Sequence, residues 1–581
     1  MKNVVLSVSG LSIEFEQESA SKPFLAADQL SFNVSAGEIL GIVGESGSGK
    51  TVTALSILRL LQHVPGATQK GEITYFPEGN PPVRIDQLNS KELLKYRGKH
   101  IAMIFQEPGA ALNPVMTCGG QIIEMLLLHT DLSKEEAKAK TIKLLGDVRL
   151  DDPQRIFESF PHQMSGGQKQ RVMIAMAMAC KPAVLIADEP TTALDVSTQK
   201  GILELMKALR DEHNTAIVFI SHDLNLLSGF AERTLVMKDG KVVEQGPVSE
   251  VFNNPSHPYT RGLLSCRPPL KSRFFRLPVL NDFLSAGGTG SGFDPMHPSN
   301  LISQEERKLH LAEIYSRQPL ISIKNLKVGY ERKSGAFSSR KQNIHAVDDV
   351  SFDIFPNETL GLVGESGSGK TTLGRTLIRL IDPEEGKIIF KGNDITHTSQ
   401  QQLRSLRKSI QIVFQDPYQS LNPAISAGSA VVEPLIVHKV LQSAEERKKK
   451  ALEMFDRVHL PRRLFDRLPA TMSGGQRQRH CIARALVLNP EFLICDEAVS
   501  ALDVSVQAQI INLISELKRE MGFTCLFISH DISVVRYLSD RILVMKNGKI
   551  IDQGEADALC ENPGSDYTKE LLQAVPVGLI K

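Results

Sequence analysis

The chain of 581 residues has almost no net charge, no long hydrophobic run and no paired-cysteine motif, and each absence excludes something. A formal charge of +1 gives no electrostatic reason to expect nucleic acid or an acidic membrane surface as the main partner. No apolar stretch approaches the ~20 residues needed to cross a bilayer, so any service to a membrane is expected from its cytoplasmic side. The seven cysteines are odd in number, scattered and without a C-x-x-C pair. That argues against a disulfide framework or a zinc site and for a reducing compartment. The opening residues Met1 to Leu6 lack the long apolar stretch and cleavage site of a signal peptide and read as a first strand. The run Glu445 to Lys450 sets each glutamate four residues before a lysine, the pattern of a solvated helix face. Length alone implies two or more domains, and 41% apolar with 23% charged residues is an ordinary globular balance.

What the chain does have is a copy of itself. Gly44-Glu45-Ser46-Gly47-Ser48-Gly49-Lys50-Thr51 returns as Gly364-Glu365-Ser366-Gly367-Ser368-Gly369-Lys370-Thr371, with Lys370 lying 320 residues after Lys50. Gly166 and Gly474, Asp188 and Asp496, and His222 and His530 are each 308 apart. Most of the difference falls before Gln106 and its counterpart Gln415, which places an insertion in the first copy, at the loop-like Pro77 to Pro82. Between the copies, Pro268-Pro269 and the Gly-rich stretch 286–292 have linker composition. A short helix is expected over Gln304 to Tyr315. The domains are therefore set at 1–265 and 319–581, joined by a linker at 266–318.

Within each copy, continuous apolar runs alternate with helix-period segments. Ile42-Val43, Val184 to Ala187 and Ile217 to Ile220 have counterparts at Leu362-Val363, Phe492 to Cys495 and Cys525 to Ile528. Unbroken apolar strands predict an α/β fold with a parallel sheet covered on both faces. Functional residues then belong at the carboxyl ends of the strands.

The two glycine-rich segments match the phosphate-cradling pattern G-x-x-x-x-G-K-[ST]. Their backbone N–H groups turn toward an anion at a helix N-terminus, Lys50 and Lys370 supply charge for the β- and γ-phosphates, and Thr51 and Thr371 offer a hydroxyl to Mg²⁺. Asp188-Glu189 and Asp496-Glu497 each follow an apolar strand. The aspartate suits Mg²⁺, and the glutamate suits a general base that polarises the attacking water. Ser165-Gly166-Gly167-Gln168 and Ser473-Gly474-Gly475-Gln476 each open a helix, with Val172, Ala175, Met176 and Ala179 at helical spacing in the first copy. Taken alone, Ser-Gly-Gly is an ordinary cap.

The order P-loop, glutamine, Ser-Gly-Gly-Gln, strand-Asp-Glu, Ala-Leu-Asp and strand-Ser-His-Asp occurs twice and covers both copies. It resembles the nucleotide-binding domains of ABC proteins. The resemblance implies two tandem P-loop NTPase domains of the ABC type. Each would have a RecA-like parallel-sheet core, a helical subdomain and an antiparallel β subdomain. It implies that Gln106 and Gln415 contact Mg²⁺ and sense a membrane partner, and that His222 and His530 are the γ-phosphate switch histidines. Asp195 and Asp503 match the loop that crosses between domains, and Phe15 and Tyr330 are the candidates for stacking on adenine. The domains of such proteins pair head to tail around ATP. One site would join Lys50, Gln106, Glu189 and His222 to Ser473 and Gly475. The other would join Lys370, Gln415, Glu497 and His530 to Ser165 and Gly167. Both glutamates and both histidines are present, so two hydrolysis-competent sites are expected.

A narrower resemblance is to fused ATPase subunits of peptide-type importers, the dipeptide, oligopeptide, nickel, glutathione and microcin group. It rests on Gln106-Glu107-Pro108 with Leu112-Asn113-Pro114, on Gln415-Asp416-Pro417 with Leu421-Asn422-Pro423, and on Pro161-His162-Gln163. Asn254 to Arg261, echoed by Asn562-Pro563 and Tyr567-Thr568, and the variant Glu497-Ala498-Val499-Ser500-Ala501-Leu502-Asp503 support it too. It implies an ATPase at the cytoplasmic face of the inner membrane, working with two integral-membrane permease subunits and, through them, an external binding protein. No nucleic acid is expected. Two departures stand out. Relatives with an iron–sulfur cluster carry several cysteines after this segment where this chain has only Cys266, so no cluster is expected. Leu468-Pro469-Ala470-Thr471 replaces the usual Pro-His before the second signature. The alternatives are a twin ATPase acting on ribosomes or DNA, which usually carries a charged two-helix arm, zinc modules or coiled coils, and an exporter ATPase, which places a Glu-rich element before the signature.

Overall fold

Apolar runs without alternation become central strands because both their faces are covered, and each copy builds one such sheet beside a smaller antiparallel one. The structure is a computed structural model that describes residues 3–16, 23–192, 194–284, 297, 300–333, 341–500 and 502–575. The first copy's strands are β1 Val4–Phe15, β2 Phe24–Ser35, β3 Ile39–Val43, β4 Ala67–Tyr75, β5 Val83–Arg84, β6 Ile101–Ile104, β7 Val184–Asp188, β8 Ala216–Ser221, β9 Arg233–Lys238 and β10 Lys241–Pro247. The second copy's are β11 Ile321–Lys333, β12 Lys341–Ile354, β13 Thr359–Val363, β14 Glu385–Phe390, β15 Asn393–Asp394, β16 Ile410–Val413, β17 Phe492–Asp496, β18 Thr524–Ser529, β19 Arg541–Lys546 and β20 Lys549–Glu555.

The large sheets run β10-β9-β3-β8-β7-β6 and β20-β19-β13-β18-β17-β16, and the small ones β2-β1-β4-β5 and β12-β11-β14-β15. Within the large sheets every pair is parallel except the β9–β10 and β19–β20 edges. Every residue of β3, β7 and β8 is buried, as a sheet covered on both faces requires. The order places β7, β8 and β3 side by side, so the loops at their carboxyl ends converge. Part of the insertion lies between β4 and β5 at residues 76–82, where the second copy has only Lys391-Gly392 between β14 and β15, and a similar part lies earlier, since β4 ends 25 residues after Lys50 and β14 only 20 after Lys370. Glu445 to Lys450 lie in the helix Ala444–Arg457, whose N-terminus is closed by a capping box between Ser443 and Glu446.

The connecting segment is bound to the second copy. Cys266, Phe274, Leu277 and Leu280 are buried in an apolar cluster that continues through both copies. The Leu277 N–H donates to Asn512 Oδ1 at 2.8 Å, and Asn512 Nδ2 donates back to the Leu277 carbonyl at 2.9 Å. Arg273 donates to the carbonyls of Arg536, Tyr537 and Ser539 at the end of the helix Ile532–Leu538. The expected helix Gln304–Tyr315 forms behind a Ser303–Glu306 capping box. The Gly-rich stretch 286–292 lies outside the described residues. Among the described residues no helix is long and apolar enough to cross a membrane.

Candidate functional site

Each P-loop leaves the end of a buried strand, β3 or β13, and turns directly into a helix, Lys50–Ile57 or Lys370–Leu377. The turn needs glycine. Gly49 and Gly369 have φ of 98° and 105°, and a Cβ on either would sit 2.2 or 2.0 Å from the carbonyl of Ala26 or Ala346. The lysine that follows is buried. Lys50 Nζ donates to the Gly44 and Glu45 carbonyls at 2.7 and 2.9 Å, and Lys370 Nζ to those of Gly364 and Glu365 at 2.8 and 2.7 Å. Burial lowers the pKa of both lysines against the pull of nearby carboxylates.

The neighbouring strand ends bring up the acids. Thr51 Oγ1 donates to Asp188 Oδ1 at 3.1 Å, and Thr371 Oγ1 to Asp496 Oδ1 at 2.9 Å. Burial pushes Asp188 up to about 6 and raises Asp496 as well. Glu189 lies 4.0 Å from Lys50 Nζ, and Glu497 lies 3.9 Å from Lys370 Nζ. Glu189 Oε2 accepts from Gln106 Nε2 at 3.0 Å and from Thr192 Oγ1 at 3.0 Å, with His222 Nδ1 at 3.1 Å. Glu497 Oε2 accepts from Gln415 Nε2 at 2.7 Å, with His530 Nδ1 at 3.6 Å. Burial alone would raise both glutamates. The histidine and lysine beside them reverse it, bringing Glu189 to about 2 and lowering Glu497. Burial likewise opposes protonation of His222, but Glu189 outweighs it and the ring's pKa is raised.

An anion and a cation both fit here. Ser48 Oγ in the first P-loop and Asp496 Oδ2 beside the second are buried without a hydrogen-bond partner among the described residues. Buried polar atoms are seldom left in that state, and a ligand or an ordered water would satisfy them. The all-oxygen set of Thr371, Asp496 and Gln415 suits a hard divalent cation.

The two copies face each other head to tail. The Ser46 N–H and hydroxyl donate to Asp503 Oδ2 and Oδ1 at 3.2 and 2.9 Å, and Ser505 Oγ donates to Glu45. Across the other contact Ser197 Oγ donates to Glu365 Oε1 at 2.5 Å. Ser165 and Ser473 each cap their own helix, Gly166–Met178 or Gly474–Leu486, in a capping box with Gln168 or Gln476. A Cβ on Gly167 or Gly475 would press on Thr198 or Val506 at 2.9 or 2.6 Å, so the helix-start glycines permit a close approach. Gly166 and Gly474 leave more room.

The adenine candidates differ. Tyr330 is 46% exposed, with its hydroxyl 3.4 Å from Thr372 Oγ1 on the P-loop helix. Phe15, at the end of β1, packs against the core of the first copy. Of the crossing-loop motif, Ala193 and Ala501 lie outside the described residues. Sequence reasoning missed Tyr259 and Tyr567 as site residues. Their hydroxyls accept from the Glu45 and Glu365 N–H at 3.0 and 2.9 Å and so hold each P-loop from behind. Their constant 308-residue spacing was the available signal.

Two lysine-bearing P-loops, each converging with an Asp-Glu pair, a glutamine and a histidine and touching the other copy, define a tandem ABC-type ATPase. The family model for ABC transporters matches residues 27–192 and 347–500, and the chain belongs to that family. The model for the oligopeptide/dipeptide transporter C-terminal region matches residues 243–280, which include Tyr259. The glutathione import ATP-binding proteins of Escherichia coli (strain K12) and Salmonella typhimurium (strain LT2) are each 45% identical over 578 residues. Those residues are 99% of this chain and 90% of theirs. This chain is thus an ATP-binding, ATP-hydrolysing subunit of the peptide-importer branch.

Proposed function

We propose that both sites hydrolyse ATP, that Glu189 and Glu497 are the general bases, and that the two cassettes, 1–265 and 319–581, are bound together by 266–318. The observation that carries this reading is the same in both copies. A buried glutamate, about 4 Å from the P-loop lysine, receives the amide of a glutamine and faces the ring of a histidine. Lys50 and Lys370 meet the β- and γ-phosphates, and His222 and His530 meet the γ-phosphate. Thr51, Gln106 and Asp188, with Thr371, Gln415 and Asp496, are the residues that would hold Mg²⁺. When bound, Mg²⁺ neutralises phosphate charge. The depressed carboxylate pKa keeps each glutamate ionised and able to accept a hydrogen bond from the attacking water. Ser473 to Gln476 and Ser165 to Gln168 close onto the opposite P-loops when ATP is bound, and hydrolysis lets the cassettes part.

The force-receiving partners are two integral-membrane permease subunits, fed by an external binding protein, which this chain drives from the cytoplasmic face of the inner membrane. Exposed apolar side chains in the chain segments that flank each sensing glutamine support this. They are Phe105, Val115 and Leu128 in the first cassette and Tyr418, Ile436 and Val437 in the second. In the second cassette Phe414, Pro434 and Val437 line a groove of about 310 Å³. The cargo is a peptide or related small molecule, glutathione being the cargo named for the relatives. Replacing both Glu189 and Glu497 by Gln should abolish hydrolysis and leave ATP trapped. Persistent turnover in that double variant would remove both glutamates from the chemistry. Co-purification from membranes with and without ATP tests the partners, and recovery of no polytopic protein would discard them.

A further inference from the structure

The two switch-histidine loops meet on a single side chain that belongs to neither. Asp223 follows His222 and Asp531 follows His530. Arg267, just past the helix Pro258–Ser265, donates from Nη1 to Asp223 Oδ2 at 2.5 Å and from Nη2 to Asp531 Oδ2 at 3.0 Å. A planar guanidinium can hold carboxylates on two different elements with its separate nitrogens in one rigid geometry. The side chain is only 11% exposed and its Nε is buried without a partner among the described residues. Burial by itself would lower the arginine's pKa, and the two aspartates more than reverse this. The same arginine holds Asp531 low against its own burial.

The duplication does not repeat this device. The position 308 residues after Arg267 is Val575, a buried apolar side chain. One cation therefore serves two carboxylates related by the internal repeat. Arg267 also lines a polar cavity of about 90 Å³ together with Glu189, His222, Asp223, His530 and Asp531. A path of contacts thus runs from one base to the other: Glu189 to His222, its neighbour Asp223 to Arg267, then Asp531, its neighbour His530, and Glu497.

We propose that Arg267 is a positioning residue that couples the two ATP sites, passing movement of one switch-histidine loop to the other through Asp223 and Asp531. The proposal rests on the assignment of Glu189 and Glu497 as the two bases.

The test measures ATP turnover by the full chain together with its co-purified membrane partners. In the wild-type background, Glu497→Gln should cut turnover to about a tenth, because the intact site waits on the silent one. In an Arg267→Met background the same replacement should leave about half of that background's rate, as independent sites do. The Hill coefficient for ATP should fall from about 2 toward about 1 in Arg267→Met. Asp531→Asn, which keeps an oxygen for capping the helix Ile532–Leu538, should show the same loss of coupling without removing the arginine. An arginine that only holds the interface together would lower all rates in proportion and leave the Glu497→Gln ratio unchanged. That result would overturn the proposal, as would a ratio of about one half in the wild-type background. Turnover persisting in Glu189→Gln/Glu497→Gln would instead sink the base assignment, so the two failures are distinguishable.

Discussion

The two cassettes place the same motifs at the same strand ends, yet their crossing loops behave differently. In the second cassette Asp503 makes no side-chain cap to its own helix, Val504–Met521, and reaches across to Ser46. In the first, Asp195 turns inward. It accepts from the Thr198 N–H and hydroxyl at 2.9 and 3.1 Å and caps the helix Val196–His213. The difference is accompanied by a change outside every motif: the counterpart of Thr198 is Val506, which has no hydroxyl to offer Asp503. A second difference has the same character. Thr192 donates to the carboxylate of Glu189, whereas its counterpart Ser500 donates to the main-chain carbonyl of Glu497. The motif residues set what each site is made of, and the residues between them set which partner each carboxylate keeps.

The replacement expected to bear hardest on this comparison is Lys50→Ala against Lys370→Ala. Each removes charge-assisted bonds to phosphate and should weaken ATP at its own site about 100-fold. Equilibrium binding should then fall from two nucleotides per chain to one in either variant. Loss of both by one replacement would show that the sites bind as a unit and that their differences have no separate meaning.

Next in size is the crossing-loop pair. Asp503→Ala should reduce turnover about 10-fold, since two bonds to the opposing P-loop go. Asp195→Ala should mainly cost a helix cap, about 1 kcal/mol, read as a lower melting temperature. Val506→Thr sharpens the point by giving Asp503 the hydroxyl that Asp195 already has. It should pull Asp503 home and reproduce part of the Asp503→Ala loss. Wild-type turnover in Val506→Thr would break the explanation.

The adenine candidates are expected to separate as well. Tyr330→Ala should weaken ATP about 10-fold while barely affecting inorganic triphosphate, the signature of a lost stacking face. Phe15→Ala should instead lower thermal stability through loss of packing. Matching effects on nucleotide binding would mean that both rings stack.

The α/β fold and both glycine-rich strand-to-helix turns were legible because they depend on local pattern. Unbroken apolar strands such as Val184 to Ala187, and glycines that only a tight turn beside backbone requires, announce themselves in sequence. The insertion was legible from the slack between repeats. The crossing contacts were not, because whether Asp503 or Asp195 reaches across involves a surface that exists only after pairing. The 266–284 stretch was obscured for a similar reason. Its Pro-rich composition looks like linker, while its burial comes from Asn512, Arg536 and other groups far away in sequence. Arg267 stood inside that stretch with no motif to mark it.

The smallest effect concerns stability and a third inequivalent pair, at the start of the strands that carry the P-loops. Glu38 lies 3.0 Å from Arg233, whereas its counterpart Glu358 lies 3.5 Å from Arg541, with Asp540 nearby. Burial pushes Glu358 up to about 7 against the pull of Arg541 and of the Phe355 N–H, and Asp540 adds to the push. The sign follows from linkage. The folded state holds this proton more tightly than the unfolded chain, whose glutamate titrates near the ordinary 4.5. Stability supported by the protonated form is therefore present in full below about 4.5 and is lost as pH rises through about 7. Taken whole, the shift corresponds to about 3 kcal/mol at alkaline pH. Glu358→Gln imitates the protonated acid and keeps an oxygen for the Phe355 N–H. Its melting temperature should exceed that of the wild type at pH 8.5, with the difference shrinking toward zero as pH falls to about 5. A variant less stable than wild type at pH 8.5 would mean that the Arg541 pair outweighs burial, and that the two cassettes hold this carboxylate alike after all.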